Sequence, residues 1–300
     1  TCMMRICHII KATGIAGAEG HLLVLLPALA AQNCQIEALI LAEPNRPMTE
    51  LTQRLTTAGV MARSLPIRSD LDFGLVGQIR RQLNRFQPQV LHTHLIHADL
   101  HGLLANRGSR RAHVSSRHND DGFRRRALLK PLLRLINAPI THMVAISNPL
   151  RQFTIQVEGV APQRITTIHY GLPAQPPADP HSLRRELNLA PDALLVVTVA
   201  RHTHQKGLDV LLTAWPQVQT QHPNAHLALV GAGPLTETLK TQAATLSQVH
   251  FLGWRTDSLA CMAAADLFVL PSRWEGFGLV LLEAMSQARP IVASAVSAIP

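Results

Sequence analysis

The sequence predicts an α/β protein made of two doubly wound domains, each with a parallel β-sheet covered by helices on both faces. Three observations support this fold class. Short apolar or β-branched segments alternate with longer helical patterns along all 300 residues. A proline-rich segment divides this alternation into two halves. The length favours two domains over one, and the hydrophobic content of 47% is ample for a folded core.

The predicted elements follow one another along the chain. In the first half, the predicted strands are residues 5–10, 36–42, 90–94, 113–117 and 142–146. In the second half, they are residues 194–200, 226–230, 250–252, 267–270 and 291–293. The predicted helices are residues 20–31, 75–86, 208–219 and 235–246. Parallel strands gather their carboxyl ends, and with them their ligand loops, at one edge of each sheet, so we expect two domains that face each other across a cleft.

The proline-rich segment marks the boundary between the domains. Four of the eight residues from 173 to 180 are proline, a composition typical of a linker. The sequence therefore predicts an N-terminal domain at residues 1–172, a linker at 173–180 and a C-terminal domain at 181–300.

The charge is unevenly distributed between the two halves. Residues 1–170 hold 20 Lys and Arg against 10 Asp and Glu, whereas residues 171–300 hold 8 against 9. The excess is concentrated in Arg107, Arg110, Arg111, Arg117, Arg124, Arg125, Arg126, Lys130 and Arg134. Such an asymmetry is typical of a surface that meets an anionic membrane or a phosphorylated substrate, although a solvated basic face fits equally well. Nucleic acid is the weakest of the anionic partners, and we expect none, because an aromatic content of 4% offers too few side chains to stack on bases.

Cysteine use and hydropathy indicate the compartment. Cys2, Cys7, Cys34 and Cys261 are scattered without a CxxC pair, so we expect buried free thiols in a reducing compartment, with neither disulfides nor a zinc site. The longest apolar segment, residues 22–31, is too short to span a bilayer. No signal peptide is evident, and these features together predict a cytoplasmic protein.

Two loops carry small or cationic residues directly after predicted strands. The first spans residues 14–20 and contains Gly14, Gly17 and Gly20, which suit either a simple tight turn or an anion held by helix amides. The second contains Arg201 and Lys206 followed by Gly207. Two permanent cations at the end of a strand suit a diphosphate, and the alternative is a loop made soluble by its charge.

The segment WEGFGLVLLEA, residues 274–284, places Glu275 and Glu283 on either side of an apolar run. A helix that begins at Gly278 would point its amides at an anion. Eight helical residues would separate the carboxylates by roughly 12 Å, about the spread from the sugar to the ribose of a nucleotide diphosphate sugar. The alternative is a carboxylate that stabilises a helix dipole and an unrelated surface glutamate.

These motifs, in this order, resemble glycosyltransferase family 4, which comprises retaining, metal-independent enzymes of the GT-B fold with two Rossmann-like domains. The resemblance rests on Arg201 with Lys206, on the segments 230–235, 251–253 and 267–272, and on the Glu275 to Glu283 block. In the N-terminal half it rests on segments 17–19, 90–94, 116–118 and 145–147. Further strand and helix follow this point in the family, so we expect a chain truncated at its C-terminus.

The resemblance implies a role for each matching residue. The donor, a UDP- or GDP-sugar or related nucleotide sugar, would be bound through its sugar by Glu275 and through its ribose by Glu283. The amides of Phe277, Gly278 and Leu279 would contact sugar and phosphate, and Leu252 would lie beside the base. Arg201 and Lys206 would neutralise the diphosphate, which Gly17 would approach from the opposite domain. His118 matches the family histidine beside the transfer centre, although a lone histidine by itself indicates only a structural role.

The resemblance also implies the chemistry and the partners. Fixed cations and a helix N-terminus can replace a metal in stabilising the leaving diphosphate, so we expect neither a metal nor a cofactor. Asp70 and Asp72 spell the DxD metal signature of another transferase fold, but Ser69-Asp70 fits a helix cap. We expect a glycan or lipid-linked acceptor and a peripheral location on the inner face of the cell membrane. The alternatives are a nucleotide-sugar epimerase of similar fold and a non-catalytic nucleotide-sugar-binding fragment.

Overall fold

The computed structural model describes residues 3–15, 17–120 and 122–300. The chain divides into two compact units, Thr1–Tyr170 and Gly171–Pro300, two residues before the predicted end of the N-terminal domain. Among the described cysteines, Cys7, Cys34 and Cys261 are free thiols, whereas the prediction for Cys2 lies outside the described residues. In the part of the chain that the structure describes, we find no helix with the length and apolarity needed to cross a bilayer.

The first unit contains one parallel sheet with the strand order β3-β2-β1-β4-β5-β6-β7. Its strands are β1 (Met4–Lys11), β2 (Cys34–Ala42), β3 (Met61–Pro66), β4 (Val90–His94), β5 (Ala112–Arg117), β6 (His142–Ala145) and β7 (Ile165–Thr167). Its α-helices are α1 (Gly17–Ala31), α2 (Thr49–Thr57), α3 (Phe73–Phe86), α4 (Leu95–Asn106), α5 (Lys130–Asn137) and α6 (Asn148–Glu158). Short 3-10 helices occupy Gly122–Arg125, Ala127–Leu129 and Pro162–Arg164.

Helices cover both faces of the first sheet, as parallel strands require. Ile9 of β1 packs in a cluster with leucines of α3, whereas Ile10 packs in a second cluster with leucines of α1 and α2. Consecutive residues of β1 therefore serve opposite cores, which follows from the two-residue period of a strand. His8 shares the face of Ile10, toward α1.

The second unit contains a parallel sheet with the strand order β10-β9-β8-β11-β12. Its strands are β8 (Leu194–Val199), β9 (Ala225–Val230), β10 (Val249–Gly253), β11 (Leu267–Leu270) and β12 (Ile291–Ala293). Its α-helices are α7 (Ser182–Glu186), α8 (Leu208–Gln221), α9 (Thr236–Gln242), α10 (Ser258–Ala263) and α11 (Leu279–Ser286), with a 3-10 turn at His204–Lys206. β8 pairs with β11, so the loops that follow these two strands lie side by side.

The ten predicted strands are all present, and two edge strands were not predicted. β3 has the sequence MARSLP and β7 the sequence ITT, and neither shows the continuous apolar run of a central parallel strand. An edge strand pairs on one side only and is less buried, so its sequence carries a weaker signal. The predicted helix at residues 235–246 is shorter in the structure, where α9 ends at Gln242.

Candidate functional site

A cluster of polar side chains lies where β8 and β11 end. Lys206 Nζ donates to Glu275 Oε1 at 2.5 Å, and Ser272 Oγ donates to the same oxygen at 2.6 Å. The Glu275 side chain is 6% exposed and that of Lys206 is 18% exposed. A carboxylate at this depth requires such partners, because burying it unpaired is costly. The structure thus brings together Lys206 and Glu275, and it adds Ser272, which sequence reasoning missed.

Further contacts fasten the loop after β8 to the loop after β11. Gln205 Nε2 donates to the Trp274 carbonyl oxygen at 3.0 Å, and the Arg273 amide donates to the Gln205 carbonyl oxygen at 2.7 Å. The guanidinium of Arg273 forms two hydrogen bonds with Asp209, at 2.6 and 2.8 Å. These bonds lock the loop that carries Lys206 against the loop that carries Glu275.

Glycines let the backbone segments approach each other. Gly207 has φ +62°, and a Cβ at this position would lie 2.1 Å from the Pro271 carbonyl oxygen. Gly231 has φ +127°, and its Cβ would lie 2.0 Å from the Ala200 carbonyl oxygen. A side chain at either position would therefore push apart the loops that follow β8, β9 and β11.

The helix within WEGFGLVLLEA begins at Leu279, one residue after its predicted start at Gly278. Gly278 has φ +81° and is the left-handed N-cap of α11, so Glu275 lies in the loop before the helix. The predicted 12 Å separation assumed helical backbone throughout and does not apply to this geometry. Glu283 lies on α11, half-buried, and burial raises its pKa above the usual value. The amides of Leu279 and its successors remain at the N-terminus of a helix, which favours an anion.

The other predicted donor residues have different surroundings. Arg201 follows β8 and is exposed, and no ion pair is found for it among the described residues. Leu252 lies on β10 and Phe277 in the loop before α11, both partly buried. In the first unit, Gly17 is the first residue of α1, and the space around its Cα is open to a further atom. Ala16, in the same predicted glycine loop, lies outside the described residues.

His118 follows β5 and belongs to a group of histidines. His118 Nε2 lies 2.9 Å from His94 Nδ1, and His8 Nδ1 lies 3.0 Å from His94 Nε2. The other ring nitrogen of His118 is hydrogen-bonded to the Tyr170 hydroxyl. Burial, together with His21, His92, Arg117 and Arg124, lowers the pKa of His118 well below its usual value. Sequence reasoning missed this grouping, although the pattern His92-Thr93-His94 places two histidines on one face of a strand.

The helix cap predicted within the DxD pattern was wrong by two residues. Asp72, and not Ser69-Asp70, is the N-cap of α3, where its carboxylate accepts from the Leu75 amide at 3.0 Å. Asp70 is exposed and lies 3.3 Å from Lys11 and 2.9 Å from His97. These hydrogen bonds and charges lower the pKa of Asp70 and of Asp72.

The basic segment of the first unit divides into a buried part and an exposed part. Arg117 donates to Asp99 at 2.6 Å and to Glu158 at 3.0 Å, and Arg124 donates to Glu158 at 2.7 Å. Burial alone would raise the pKa of Asp99 and of Glu158, but the arginines hold both below their usual values. Arg117 and Arg124 thus join β5, α4 and α6 and are not available to an anionic partner, which corrects the prediction for these two.

The exposed part combines cations with leucines. Arg125, Arg126, Lys130 and Arg134 are exposed. Leu128, Leu132 and Leu135 are 93%, 50% and 70% exposed. Leu132 and Leu135 are three residues apart on α5 and share one face of it, and Leu128 lies in the 3-10 helix just before α5. We call these seven residues the leucine–arginine surface.

Comparison with known proteins identifies both halves of the chain. Residues 15–176 match the family model Glycosyltransferase Family 4, and residues 193–300 match that of Glycosyl transferases group 1. The chain is 35% identical over 127 residues to a GDP-mannose-dependent monoacylated alpha-(1-6)-phosphatidylinositol monomannoside mannosyltransferase of Corynebacterium glutamicum, covering 39% of this chain and 33% of that protein. It is 28% identical over 292 residues to the phosphatidyl-myo-inositol mannosyltransferase of Mycobacterium leprae, covering 93% of this chain and 74% of that protein.

The length matched varies among the curated relatives. The matched residues span about a third of the Corynebacterium protein. The chain is also 36% identical over 120 residues to an uncharacterised glycosyltransferase of Methanocaldococcus jannaschii, and this match covers 38% of this chain and 30% of that protein.

Solved structures share the fold. Anabaena HepE, determined in complex with UDP and glucose, superposes with a TM-score of 0.83 at 22% identity, covering 98% of this chain and 82% of that chain. WaaG, a glycosyltransferase involved in lipopolysaccharide biosynthesis, superposes with a TM-score of 0.73 at 17% identity, covering 99% and 82%. The two parallel-sheet units are those of the GT-B fold. Since one family model covers more than half of the chain, this chain belongs to glycosyltransferase family 4.

Proposed function

We propose that this chain transfers a sugar from a nucleotide diphosphate sugar to a glycan or lipid-linked acceptor, with retention at the anomeric carbon and without a metal. The observation that carries the proposal is the Lys206–Glu275–Ser272 cluster, set among glycine-bearing loops at the carboxyl ends of β8 and β11. Ligands of doubly wound sheets bind at this edge.

The donor-binding residues follow from charge. Lys206 and Arg201 neutralise the diphosphate, while the N-terminus of α11 adds amides that favour an anion. The Glu275 carboxylate accepts from hydroxyls of the donor sugar, and Glu283 accepts from those of the ribose. Leu252 packs beside the base, and Phe277, Gly278 and Leu279 offer backbone amides to sugar and phosphate. In the first unit we assign substrate contact to Gly17 and His118.

The Lys206–Glu275 bond joins the cation assigned to the diphosphate to the carboxylate assigned to the sugar. A bound diphosphate competes with the Glu275 carboxylate for the Lys206 ammonium, and the sugar hydroxyls compete with the ammonium for the carboxylate. Because both exchanges occur at one pair, the pair favours a ligand that carries anion and polyol together. A free phosphate or a free sugar satisfies only one partner and leaves the other buried and unpaired.

The proposed transfer needs only the nucleotide sugar and the acceptor as reactants. The bond between the anomeric carbon and the departing phosphate oxygen breaks, and the acceptor oxygen forms the new bond on the same face. The acceptor proton moves to the departing phosphate oxygen, so atoms and charges balance. Lys206, Arg201 and the helix amides stabilise the charge that develops on the diphosphate.

The names of the relatives support the nucleotide-sugar donor. The Corynebacterium relative is a GDP-mannose-dependent enzyme, and HepE has been crystallised with UDP and glucose. We therefore propose a UDP- or GDP-sugar as the donor class.

The test is a calorimetric titration of nucleotide sugars against matched lysine variants. Hydrogen bonds to charged groups contribute about 1.5–3 kcal/mol, so Lys206→Ala should weaken binding by at least about tenfold. Lys240→Ala, which removes an exposed lysine paired with Glu237, should leave affinity unchanged. Equal affinity in wild type and Lys206→Ala would reject the donor assignment. Activity in excess chelator and the anomeric configuration of the product test the metal-independent and retaining character.

We also propose that the leucine–arginine surface binds an anionic membrane, which would bring the site to lipid-linked acceptors. Clustered exposed leucines beside cations suit the interface of an anionic bilayer, where each basic residue contributes about 1 kcal/mol. The Corynebacterium and Mycobacterium relatives are named for phosphatidylinositol-based substrates, which supports a membrane-proximal acceptor.

Vesicle co-sedimentation tests this surface. We expect binding to phosphatidylcholine vesicles that contain phosphatidylserine, weaker binding at high salt, and little binding to phosphatidylcholine alone. The double variant Leu132→Gln, Leu135→Gln should lose binding, whereas Leu71→Gln, which changes another exposed leucine of the same unit, should retain it. Binding unaffected by salt, by lipid charge and by the double variant would reject the surface.

A further inference from the structure

Three histidines and a tyrosine form a continuous hydrogen-bonded row in the first unit. His8 of β1 bonds to His94 of β4, His94 bonds to His118, and His118 bonds to Tyr170. Both ring nitrogens of His94 and both of His118 are therefore engaged. The row follows from strand register, because β1 and β4 are neighbours in which His8 pairs with His92 and Ile10 pairs with His94.

The rings of this row are neutral. Burial, with neighbouring histidines, lowers the pKa of His8, His94 and His118 well below the usual value. A neutral imidazole has one donor and one acceptor nitrogen, so successive bonds must all run in the same direction. The row can run from His8 to Tyr170 or the reverse.

His8, at one end of the row, determines the direction in which the hydrogen bonds run. His8 Nε2 is buried and finds no hydrogen-bond partner among the described residues. An orphaned buried N–H donor is rarer than an unsatisfied buried acceptor, so Nε2 of His8 is the acceptor and its Nδ1 carries the proton. It follows that His8 donates to His94, that His94 Nδ1–H donates to His118 Nε2, and that His118 Nδ1–H donates to the Tyr170 oxygen. All three rings are then Nδ1–H tautomers.

A metal ion is the competing interpretation, and the ring orientations oppose it. One nitrogen from each of His8, His92 and His94 lies within 4.8 Å of the others. Metal-binding lone pairs lie in the ring plane and must converge on a point about 2.0–2.1 Å from each nitrogen. His94 Nε2 instead faces His8 Nδ1 at 3.0 Å with the two ring planes only 14° apart, which is the geometry of a hydrogen bond between these nitrogens. His92 stacks on His94 with an interplanar angle of 24°, so the lone pairs of these two rings do not converge on one point.

We infer that His94 is a positioning residue that fixes the tautomer and orientation of His118 through this row. The inference rests on the proposed role of His118 in substrate contact. With Nε2 accepting from His94, His118 has its proton on Nδ1 beside Tyr170. A substrate hydroxyl can then reach His118 only by replacing one of these two partners. Tyr170 keeps its hydroxyl proton, because burial and the carboxylate of Glu19 raise its pKa, and the oxygen of a neutral hydroxyl can still accept a hydrogen bond.

Nitrogen-15 NMR of histidine-labelled protein measures the tautomers without requiring activity. In the wild type at neutral pH, His8, His94 and His118 should all give the Nδ1–H pattern. His94→Phe keeps a ring of similar shape but removes the donor, so the His118 signal should leave that pattern. His94→Asn returns an amide N–H close to the position of Nδ1 and should restore it.

Transfer kinetics provide the second measurement. Loss of one hydrogen bond to His118 should lower kcat about tenfold in His94→Phe and change the KM for the donor less than about twofold. His94→Asn should recover most of kcat. The control is His226→Phe in the second unit. It removes a similar hydrogen bond between two histidines, in which His226 Nδ1 lies 3.0 Å from His250 Nε2 and the ring planes are nearly parallel. It should change neither the His118 signal nor kcat.

Each remaining outcome decides between interpretations. An Nε2–H or protonated His118 in the wild type, or a His118 signal unchanged in His94→Phe, overturns the inference. So does stoichiometric zinc binding that disappears in His8→Ala, which would make the cluster a metal site. An intact Nδ1–H pattern in a protein without transfer activity would overturn the proposed function alone.

Discussion

At the residue scale, the bonded residues Glu275 and Lys206 are assigned to different parts of one ligand: Glu275 to the donor sugar and Lys206 to the diphosphate. Glu275→Gln removes the acceptor charge assigned to the sugar and frees the Lys206 ammonium for phosphate. We therefore expect at least about tenfold weaker binding of the nucleotide sugar, while the nucleotide diphosphate without sugar binds equally well or more tightly. Parallel calorimetric titrations measure both. An equal loss for the two ligands would show that Glu275 acts on the phosphates or on the fold.

A second prediction at this scale concerns the two aspartates of the DxD pattern. Asp72 caps α3, so Asp72→Ala should lower the free energy of unfolding by about 1 kcal/mol. Asp70 is 78% exposed, and its surface ion pairs contribute little, so Asp70→Ala should change stability by less than about 0.5 kcal/mol. Urea denaturation measures both, and transfer activity should survive in each variant. Metal-dependent activity that either substitution abolishes would contradict the structural role.

The sequence identified Lys206 and Glu275 individually but not their bond. The two residues are 69 positions apart, and they meet because β8 and β11 are neighbours in the sheet. No local pattern encodes that strand order. The His8–His94 bond has the same origin, since it depends on the register of β1 against β4. The buried partners of Arg117 were missed for this reason too, whereas the glycines and cations of each loop were visible in its own segment.

At the element scale, the close packing of two loops depends on a single glycine. Gly207→Ala should destabilise the protein more than alanine does at another glycine with a positive φ, because the new Cβ would meet the Pro271 backbone oxygen. Gly59 is the matched control, with φ +82° and open space around its Cα. Gly59→Ala should therefore show only the cost of left-handed backbone, about 1–2 kcal/mol.

We expect Gly207→Ala to destabilise the protein more than Gly59→Ala does and to abolish detectable nucleotide-sugar binding. Thermal unfolding with and without ligand measures both effects. Equal behaviour of the two variants would mean that the loops can separate without loss of the site.

Prediction of elements was most successful where burial is greatest. The central strands β8 and β11 carry nearly continuous apolar runs and β1 is mostly apolar, and the sequence placed all three to within one or two residues. The start of α11 was predicted to within one residue, but its left-handed cap was not, because a glycine such as Gly278 fits either a helix start or a left-handed cap and only the backbone conformation distinguishes these.

At the scale of the whole molecule, the distribution of charge conceals two different uses of arginine. The first unit holds most of the basic residues, but Arg117 and Arg124 are buried with acidic partners, while the leucine–arginine surface is exposed. A count of charged residues does not distinguish the buried arginines from the exposed cations. The membrane proposal therefore depends on the exposed group alone, and a charge count overstates what an anionic partner meets.

The buried histidines predict how the stability of the protein depends on pH. Burial lowers the pKa of His21 to about 4, and burial, opposed by the charge of Asp99, lowers that of His92 to about 4. In the unfolded chain, a histidine titrates near its ordinary pKa of about 6.5. Between these values the unfolded chain binds more protons than the folded protein. Stability from this source is thus fully present above about pH 6.5 and is lost as the pH falls toward 4.

Asp99 and Glu158 contribute in a lower window, because their pKa values are held below those of free carboxyls. Urea unfolding at a series of pH values should therefore show a loss of roughly a few kcal/mol between about pH 7 and pH 5, before Asp99 or Glu158 is protonated. His21→Gln should make that slope shallower, whereas His222→Gln, which changes an exposed histidine, should leave it unchanged. Constant stability across this range would mean that the buried rings are protonated in the folded protein, and a protonated His94 could not present an acceptor nitrogen to His8.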